Sequence, residues 1–445
     1  MANLKVVLVG GGSYGWGPKV LEGLLLNPYL DGCQVVLHDI DSAALQVNLE
    51  LAEKLRRLAG RRTKFVATTA PAVALEGADF VVVTISTGGL EAMRVDLEVP
   101  EKYGVFHTVG DTVGPGGLLR LLRNVPVFLQ LARTMEKQCP SAWMINCSNP
   151  LSGLTRVVNK ETAIRAVGMC HGVRDVAAQF ARFFDCGLEE CAYLNTGIDH
   201  CAWFTQMLVQ GRCVWDLLRA KGLDEWLQQV PSAAREDAVF KDLYGLRCGL
   251  ALGRQLGALP AIGDRHMVEF FADFLLRLER LEHYGLKRTT IGERHSARAR
   301  ARKRLERLLN GAEELQLAEA SGRPSDDVAG WIAALAGGPV IEDNLNVPNL
   351  GQIPQLPAAA VVETRGVLDA TGFRPLVSPM PAAIEAIVRP HVLRQELSVE
   401  AAVEGNFERA LEALLSDPLL GRIDSARSLL EEMMAGTREW LPQFK

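Results

Sequence analysis

The feature that most constrains the fold is a glycine-rich stretch near the amino terminus. A short apolar run leads into Gly10, Gly11 and Gly12, and an amphipathic helical pattern begins soon after Gly15. Gly10, Gly12 and Gly15 have the G-x-G-x-x-G spacing, in which glycines let the backbone turn sharply and approach a pyrophosphate at a helix N-terminus. The stretch therefore predicts a strand, a turn and a helix that bind a dinucleotide. The candidate cofactor contacts are the residues of the turn: Gly10, Gly11, Gly12, Ser13 and Tyr14.

An acidic residue follows the next strand pattern. The apolar run Gln34–His38 ends at Asp39, and a carboxylate at this point holds the adenosine ribose hydroxyls in dinucleotide folds. Asp39 comes a little later than the usual interval of about 20 residues, so Asp41 is the alternative. A glycine turn in a sheet protein that binds no nucleotide is the competing interpretation.

Strand and helix patterns then alternate. A helical pattern over Ser42–Leu58, with Ser42 as its N-cap, is followed by strand patterns over Lys64–Thr68 and 79–85. Such alternation predicts an α/β fold with a doubly wound parallel sheet, in which ligands bind beyond the carboxyl ends of the strands. We expect the long glycine-rich segment 86–117 to be a loop over cofactor and substrate.

The pattern becomes mostly helical from about residue 209. We predict two domains, a dinucleotide-binding Rossmann domain over 1–195 and a mostly helical domain over 196–445 that supplies substrate, metal and oligomer contacts. Within the second domain, 267–278 is predicted to be helical and 343–357 to be a polar loop.

Composition excludes several classes of protein. The net charge of −5 and the pI near 6.0 argue against a nucleic-acid or membrane-surface partner. The nine cysteines follow no pairing pattern, and neither a signal peptide nor an apolar run long enough to span a bilayer is apparent. These features are typical of reduced thiols, so we expect a cytoplasmic protein.

One segment is strongly basic. Residues 287–307 contain nine Lys or Arg residues against Glu293 and Glu306 alone. Such a run usually marks a solvated helix face, and a role near an acidic substrate is the alternative.

Two candidate metal ligands, Cys170 and His200, lie at the ends of predicted strands. A thiolate and an imidazole at one point are good ligands for a first-row metal, and two protein ligands leave positions open for a sugar. A buried structural cysteine is the commoner explanation when such a pair is considered alone.

Seven segments together resemble glycoside hydrolase family 4. They run in the family's order over nearly the whole chain: GGGSYGWGP at 10–18, GDTVGPGGLLRLLRNVP at 110–126, NCSNP at 146–150, CHGV at 170–173, GIDHCAWF at 197–204, VVET at 361–364 and VEAAVEGNFERALEALLSDPL at 399–419. The resemblance implies a Rossmann domain followed by a mostly helical second domain, similar to lactate and malate dehydrogenases, and a homodimer or homotetramer.

The resemblance also implies cofactors and a mechanism. The cofactors are NAD and Mn²⁺ or another divalent metal, and the reaction is an oxidative elimination. Hydride leaves sugar C3, a base removes the C2 proton, the aglycone is eliminated, water adds and the hydride returns. The residues that match family positions are Asn149 for substrate hydroxyls, Cys170 and His200 for the metal, His171 for protonation of the leaving group and Asp264 for the C2 base.

Each of these assignments has a structural alternative. For Asn149 the alternative is a turn-stabilising role, and for Asp264 it is a loop or helix-capping carboxylate. For His171 a position behind the metal ligands is an equally good interpretation. Tyr244 is a poor fit to the position of a base.

The identity of the sugar depends on fewer residues. The CHG motif resembles the subgroup that hydrolyses α-linked uronides, which comprises α-galacturonidases and α-glucuronidases. Arg265 offers a bidentate partner for a uronate carboxylate, although an ordinary ion pair with Asp264 is as good an interpretation. Arg94 is a further substrate-binding candidate. The alternatives are an α-galactosidase or α-glucosidase of the same family, or an NAD-dependent 2-hydroxyacid dehydrogenase.

Overall fold

The computed structural model describes residues 4–317 and 327–444 of the chain. The strands in this part are β1 (Lys5–Val9), β2 (Gln34–His38), β3 (Lys64–Thr68), β4 (Phe80–Val83), β5 (Trp143–Asn146), β6 (Arg165–Gly168), β7 (Cys191–Ile198), β8 (Cys201–Val209), β9 (Arg212–Cys213), β10 (Leu259–Pro260), β11 (Ile341–Pro348), β12 (Val361–Asp369) and β13 (Gly372–Pro375). The α-helices are α1 (Trp16–Leu26), α2 (Ser42–Leu58), α3 (Pro71–Leu75), α4 (Gly89–Lys102), α5 (Gly114–Gln138), α6 (Leu151–Glu161), α7 (Gly172–Phe183), α8 (Val214–Ala220), α9 (Leu223–Gln228), α10 (Pro231–Glu236), α11 (Arg247–Leu256), α12 (Asp264–Met267), α13 (Ala272–Leu275), α14 (Leu278–His283), α15 (Ile291–Asn310), α16 (Val328–Leu335), α17 (Ala382–Glu404), α18 (Phe407–Leu415) and α19 (Ala426–Gly436).

The first six strands form a parallel sheet in the order β6-β5-β4-β1-β2-β3. This is the strand order of the doubly wound dinucleotide fold, and it confirms the predicted fold class. The residues of β1 alternate between two cores: Val7 and Val9 belong to one, and Val6 and Leu8 belong to the other. Because helices cover both faces, the strand is apolar at every position from Val6 to Val9 rather than at every second one.

The second half of the chain extends this sheet. Strands β11, β12 and β13 add to it antiparallel beyond β6. The prediction of a polar loop over 343–357 was therefore wrong for its first six residues. Their polar side chains bind inside the protein: Asn346 Nδ2 donates to Glu363 Oε1 at 3.1 Å, and Asn344 Nδ2 donates to the Tyr193 hydroxyl at 3.4 Å. The main sheet contains strands from both sides of residue 195. The domain boundary at that residue therefore stays a prediction.

The expected loop over 86–117 is largely helical. Helix α4 occupies its middle, and α5 begins at Gly114 rather than at Leu118. Glycine is required where α5 begins, because a Cβ on Gly117 would lie 2.3 Å from the backbone carbon of Thr112. The glycines thus serve close packing at a helix start, and only residues 86–88 and 103–113 of the expected loop lie outside helices.

Two further local predictions were wrong. The N-cap of α2 is Asp41, whose carboxylate accepts from Ala44 N at 3.0 Å, and Ser42 is the first helical residue. The predicted helix over 267–278 is interrupted, because Phe271 has extended backbone angles of −125° and 117° between two short helical turns.

The remaining strands make a small antiparallel sheet from β7, β8, β9 and β10. The turn between β7 and β8 contains Asp199 and His200, so a hairpin presents these residues. Among the helices within 4–317 and 327–444, none combines the length and the apolar character needed to cross a bilayer.

Candidate active site

The carboxyl ends of β1, β4, β5 and β6 meet at one edge of the parallel sheet. The residues that follow these strands are the glycine turn, Thr84, the turn 147–150 and Cys170. A doubly wound sheet binds its ligands at this edge, where the chain connections diverge to opposite faces.

The glycine turn has the geometry that its spacing predicts. Gly10 has a φ of +92°, and a Cβ there would lie 2.2 Å from the carbonyl oxygen of Thr84. Only glycine is compatible with both conditions. Asn48, from α2, donates from Nδ2 to the carbonyl oxygens of Gly11 at 2.7 Å and Ser13 at 3.0 Å, which holds the turn in place. At the start of α1, Trp16 N donates to the Ser13 hydroxyl at 3.1 Å and Gly17 N donates to the Ser13 carbonyl at 3.1 Å, whereas Tyr14 N and Gly15 N have no acceptor among the described contacts.

The two acidic candidates for the ribose have different partners. Asp39 Oδ2 accepts from Gly12 N at 2.9 Å, so this carboxylate lies directly against the glycine turn. Asp41 is committed to capping α2. The structure therefore places Asp39, rather than the alternative Asp41, beside the predicted cofactor turn, and its contact with ribose stays a prediction.

Cys170, Asp199 and His200 form a compact cluster. One ligand atom from each lies within 4.8 Å of the other two. Cys170 follows β6, whereas Asp199 and His200 come from the β7–β8 hairpin, so the cluster joins the parallel sheet to the second half of the chain. His200 has a φ of +64°, an uncommon conformation for a residue other than glycine. The predicted metal pair is thus brought together with a third donor.

The cluster lacks the positive charge that its donors would favour. Neither carboxylate oxygen of the buried Asp199 accepts from an N–H or O–H group in the described structure, and the Cys170 thiol is close enough to lower the pKa of Asp199 by hydrogen bonding. Burial, and then the negative charge of Asp111, raises the pKa of Asp199 to about 7. Burial, and then the charges of Asp199 and Glu363, raises the pKa of the Cys170 thiol well above its usual value. A divalent cation would supply the missing charge, so these donors fit one.

The loop before α5 orients His200. The Thr112 hydroxyl lies 2.9 Å from Asp111 Oδ1, to which it donates, and 2.8 Å from His200 Nδ1. Because the hydroxyl has only one hydrogen, it accepts from Nδ1–H of the imidazole. Nε2 is then the unprotonated nitrogen, the form that binds metals.

Asp111 and His266 lie beside the cluster on the other side of His200. Ligand atoms of Asp111, His200 and His266 also lie within 4.8 Å of one another, and the two imidazole rings are 4.0 Å apart. Burial acts against ionisation of Asp111, but the charges of His200, His266 and Arg120 outweigh it and lower the pKa of this carboxyl to about 2. Burial and the His200 charge lower the pKa of His266 to about 4. Asp111 is thus an anion and His266 a neutral imidazole at pH 7.

Polar groups from the strand-end turn complete this side. Asn149 Nδ2 donates to Asp111 Oδ2 at 3.3 Å, and the buried Asn149 Oδ1 has no described partner. The Arg120 Nε donates to the Asn149 carbonyl at 3.0 Å. Asn149, Arg120 and Asp111 therefore offer an acceptor, a cation and an anion next to the cluster, a set suited to sugar hydroxyls.

His171 lies at the edge of the site rather than inside it. It is the N-cap of α7, its side chain is 45% exposed, and its Nδ1 lies 2.6 Å from Asp175 Oδ2. Its ring centroid is 6.4 Å from that of Trp16, the first residue of the helix after the glycine turn. The imidazole is thus between the metal cluster and the predicted cofactor turn, and its role as an acid stays a prediction.

Asp264 and Arg265 both make structural contacts. The Asp264 carboxylate is buried and caps α11, with Oδ2 accepting from Cys248 N and Oδ1 from Gly249 N, both at 2.8 Å. Burial raises the pKa of this carboxyl to about 7. Arg265 donates to the carbonyl oxygens of Thr108 and Lys287 and to the Thr289 hydroxyl. The expected ion pair between Arg265 and Asp264 is therefore absent among these contacts.

Arg94 does not lie on a loop as expected. It is on α4, its side chain is 54% exposed, and it pairs with Glu91 one turn away at 3.1 Å. No contact in the described structure connects it to the metal cluster, so its role in substrate binding stays a prediction without structural support.

Comparison with known proteins identifies the family. The model of the family 4 glycosyl hydrolases matches residues 5–186, and the model of the C-terminal domain of the same family matches residues 195–420. The chain belongs to glycoside hydrolase family 4.

Individual relatives agree with this membership. An α-galacturonidase from Bacillus subtilis is 33% identical over 97% of both chains, and an α-galactosidase from Rhizobium meliloti is 29% identical over 100% of this chain and 90% of the relative. The crystal structure of lplD from Bacillus subtilis has a TM-score of 0.86 at 30% identity, with 97% of this chain and 100% of that chain covered.

More distant structures agree in fold. A 6-phospho-α-glucosidase from gut microorganisms, solved in complex with NAD and Mn²⁺, has a TM-score of 0.83 at 22% identity over 100% of both chains. A malate dehydrogenase from Plasmodium falciparum has a TM-score of 0.51 at 14% identity, with 92% of this chain and 99% of that chain covered. The predicted likeness to malate dehydrogenases is confirmed, and the expected cofactors are those held by the solved relative.

Sequence reasoning missed several members of the site. Asp111 and Asp199 lie in quoted segments and His266 directly follows Arg265, but none of the three had been assigned a role. Arg120 also lies in the quoted segment 110–126 and had not been assigned a role. Asn48, which holds the glycine turn, has no local signal, because only the packing of α2 against that turn brings it there.

Proposed function

We propose that this family 4 glycosidase hydrolyses α-linked uronides, with NAD and Mn²⁺ or a similar divalent metal as cofactors. The observation that carries the proposal is the convergence of Cys170, Asp199 and His200 with both Asp199 oxygens unpartnered. The uronide part is supported by the α-galacturonidase relatives, of which one is 33% identical over nearly the full length.

The three residues would hold the cation as a thiolate, a carboxylate and the Nε2 of an imidazole. When bound, the cation polarises the sugar O2 and O3, and the dinucleotide takes up and returns the C3 hydride. Thr112 keeps the imidazole in its metal-binding tautomer. Three protein donors leave positions open for the two sugar oxygens.

Substrate hydroxyls would bind on the Asp111 side of the cluster. The free Asn149 Oδ1 accepts a hydroxyl hydrogen, and the Arg120 guanidinium, fixed through its Nε, donates to a sugar oxygen. These contacts position C2 and C3 at the cluster, a contribution that is worth several kcal/mol when the geometry is fixed in advance.

Two proton transfers remain to be assigned. His171, at the exposed edge with Asp175 beside it, is placed to protonate a leaving group that departs toward solvent. For the C2 proton, Asp264 is the residue that the family position implies, but backbone N–H groups occupy both of its oxygens. His266 lies beside the cluster, with a ring nitrogen within 4.8 Å of a ligand atom of His200. It is neutral and has an unpartnered buried Nδ1, so it is the base that the geometry favours.

The test is a reconstitution assay with aryl α-galacturonide, α-glucuronide, α-galactoside and α-glucoside. Protein stripped of cofactors receives NAD⁺ and Mn²⁺ singly and together under reducing conditions. We expect cleavage of one uronide only when both are present, with no net formation of NADH. Cleavage of a galactoside alone would instead support the neutral-sugar alternative that the Rhizobium meliloti relative represents. Stoichiometric NADH without cleavage would refute the glycosidase mechanism and support a dehydrogenase.

The metal site has a test that does not depend on turnover. Asp199→Asn keeps the size of the side chain but removes its charge, so Mn²⁺ affinity measured by electron paramagnetic resonance should fall about 10- to 100-fold. The matched control is Asp175→Asn, which removes an exposed carboxylate near the same site. Equal Mn²⁺ affinity in the two variants would exclude Asp199 as a ligand.

A further inference from the structure

The basic helix α15 is the largest charged feature that the proposed site does not use. It contains seven Lys or Arg residues, and Leu305 is its one buried residue. A helix this polar is stabilised by its surroundings rather than by a core of its own. The place where it packs therefore indicates what its charges are for.

Helix α15 packs on the dinucleotide-binding half of the molecule. Leu305 joins a cluster with Leu25 of α1 and with Leu51 and Leu55 of α2, the two helices that flank the glycine turn. Tyr14, a residue of that turn, packs against the same cluster. The helix is thus held across the glycine turn by a small apolar contact.

Three arginines on α15 share the side of Leu305. Arg294, Arg298 and Arg302 recur every four residues, which places them on one face of a helix, and Leu305 continues that face. The Arg298 guanidinium carbon lies 5.9 Å from the centroid of the Tyr14 ring. The middle of this arginine stripe is therefore at the glycine turn.

The electrostatic interactions of Arg302 and Arg294 show which residues lie near the two ends of the stripe. Glu306, and after it Tyr14 and Asp41, raise the pKa of Arg302, so this end is on the ribose side of the turn. At the other end, burial is the main cause that lowers the pKa of Arg120, and the charge of Arg294 adds to it. The stripe thus runs from the sugar site, past the glycine turn, toward the ribose side.

Among the described residues, the arginines nearest the glycine turn are those without a carboxylate partner. Arg304 and Arg307 both pair with Glu313 at the far end of the helix. No carboxylate partner of Arg294 or Arg298 occurs within the ranges that the structure describes. Cations are therefore left unpaired where an anionic ligand would lie.

We propose that Arg298, assisted by Arg294, binds the pyrophosphate of the dinucleotide from the side opposite the glycine turn. The inference rests on the proposed use of NAD. The N–H groups of Tyr14 and Gly15, which have no acceptor among the described contacts, would donate to one side of the pyrophosphate, and guanidinium groups donate paired hydrogen bonds to phosphate oxygens on the other. Helix α15 would then lie across the bound cofactor, and the pyrophosphate would be the ligand of its arginines.

The test measures binding without catalysis. NADH affinity is determined by the fluorescence of the bound nicotinamide in the absence of sugar and metal, and ADP-ribose, adenosine and glucose 6-phosphate are titrated as competitors. The variants are Arg298→Ala, Arg298→Lys and Arg294→Ala. Arg300→Ala is the matched control, because Arg300 is an exposed cation two residues from Arg298 and hence on the opposite side of the helix.

We expect Arg298→Ala to reduce the affinity for NADH and for ADP-ribose about tenfold, because a charge-assisted hydrogen bond to phosphate is lost. The affinity for adenosine should be unchanged. Arg294→Ala should have a smaller effect in the same direction, and Arg298→Lys should retain part of the affinity. Increasing salt should reduce the NADH affinity of the wild-type protein more than that of Arg298→Ala.

The inference is overturned if Arg298→Ala binds NADH within about twofold of the wild-type protein or loses no more affinity than Arg300→Ala. It is also overturned if the loss is confined to glucose 6-phosphate, since the stripe would then recognise a sugar phosphate. If the wild-type protein itself fails to bind NADH, the proposed function fails instead. All three substituted side chains are exposed, so unchanged thermal unfolding of the four variants is the check on folding.

Discussion

Substitution of Asp264 by Asn separates its two possible roles, because a capping carboxylate and a catalytic base respond differently. In the wild-type protein the buried carboxylate accepts two backbone hydrogen bonds, and burial raises its pKa from 3.8 to about 7. A folded-state pKa above the unfolded value means that the folded protein binds more protons. Stability is therefore full at low pH and declines as pH rises through the window from about 4 to 7.

The magnitude follows from the two pKa values. At 1.36 kcal/mol per pKa unit, full ionisation of Asp264 reduces the free energy of unfolding by about 4 kcal/mol, of which about 2–3 kcal/mol falls between pH 5 and pH 8. Asparagine does not titrate, so the variant lacks this decline. It also has one acceptor fewer, which leaves one N–H at the start of α11 unpaired and costs about 1–3 kcal/mol at any pH.

We therefore expect Asp264→Asn to be less stable than the wild-type protein near pH 5 and to become as stable or more stable near pH 8. Urea unfolding at the two pH values measures the difference. Asp41→Asn is the control, because it removes a cap carboxylate that binds at the surface. Parallel pH profiles for the wild-type protein and Asp264→Asn would refute the assignment. A loss of kcat above about 100-fold with no change in stability would show that Asp264 acts on substrate.

The other predictions concern the metal, the glycine turn and Arg265. Cys170→Ser should raise the Kd for Mn²⁺ about 100-fold and leave the Kd for NADH within about twofold, as measured by paramagnetic resonance and nucleotide fluorescence; activity in a metal-free preparation would contradict a metal role. Gly12→Ala places a Cβ 2.9 Å from Asp39 Oδ2, so NADH binding should weaken about tenfold, and unchanged affinity would show that this contact is not needed. Arg265→Ala should lower Tm and raise KM equally for uronides and neutral glycosides, because the Arg265 guanidinium already donates to Thr108, Lys287 and Thr289. A rise in KM for uronides alone would support the alternative that Arg265 binds the uronate carboxylate.

The early part of the fold was predictable because its signals are local. The strand patterns of β2 and β3, the glycine turn and the strand-end position of Cys170 are properties of short segments. A parallel sheet brings the carboxyl ends of its strands to one edge, so Cys170 was expected near the glycine turn before any contact was known. The residues of β11 were misassigned because their polar side chains bind partners more than 15 residues away or in another strand.

The candidate site was predictable only in part for the same reason. A motif marks a residue type at a position, but it does not show what the side chain contacts. The motif around residues 197–204 indicated His200, and the hairpin then brings Asp199 to the same cluster with its oxygens unpartnered. The motif-based expectation for Asp264 did not include α11, whose N-terminus occupies both carboxylate oxygens.

The sequence by itself determined the doubly wound sheet, the glycine turn at residues 10–15 and the family, and it indicated Cys170 and His200 as candidate metal ligands. Each of these depends on periodicity or on residue spacing, which are visible along the chain. Only the tertiary structure decided that Asp264 is a cap, that Asp199 joins the metal pair and that the arginines of α15 lie over the glycine turn. These depend on contacts between segments up to several hundred residues apart, and such contacts form only when the whole chain has packed.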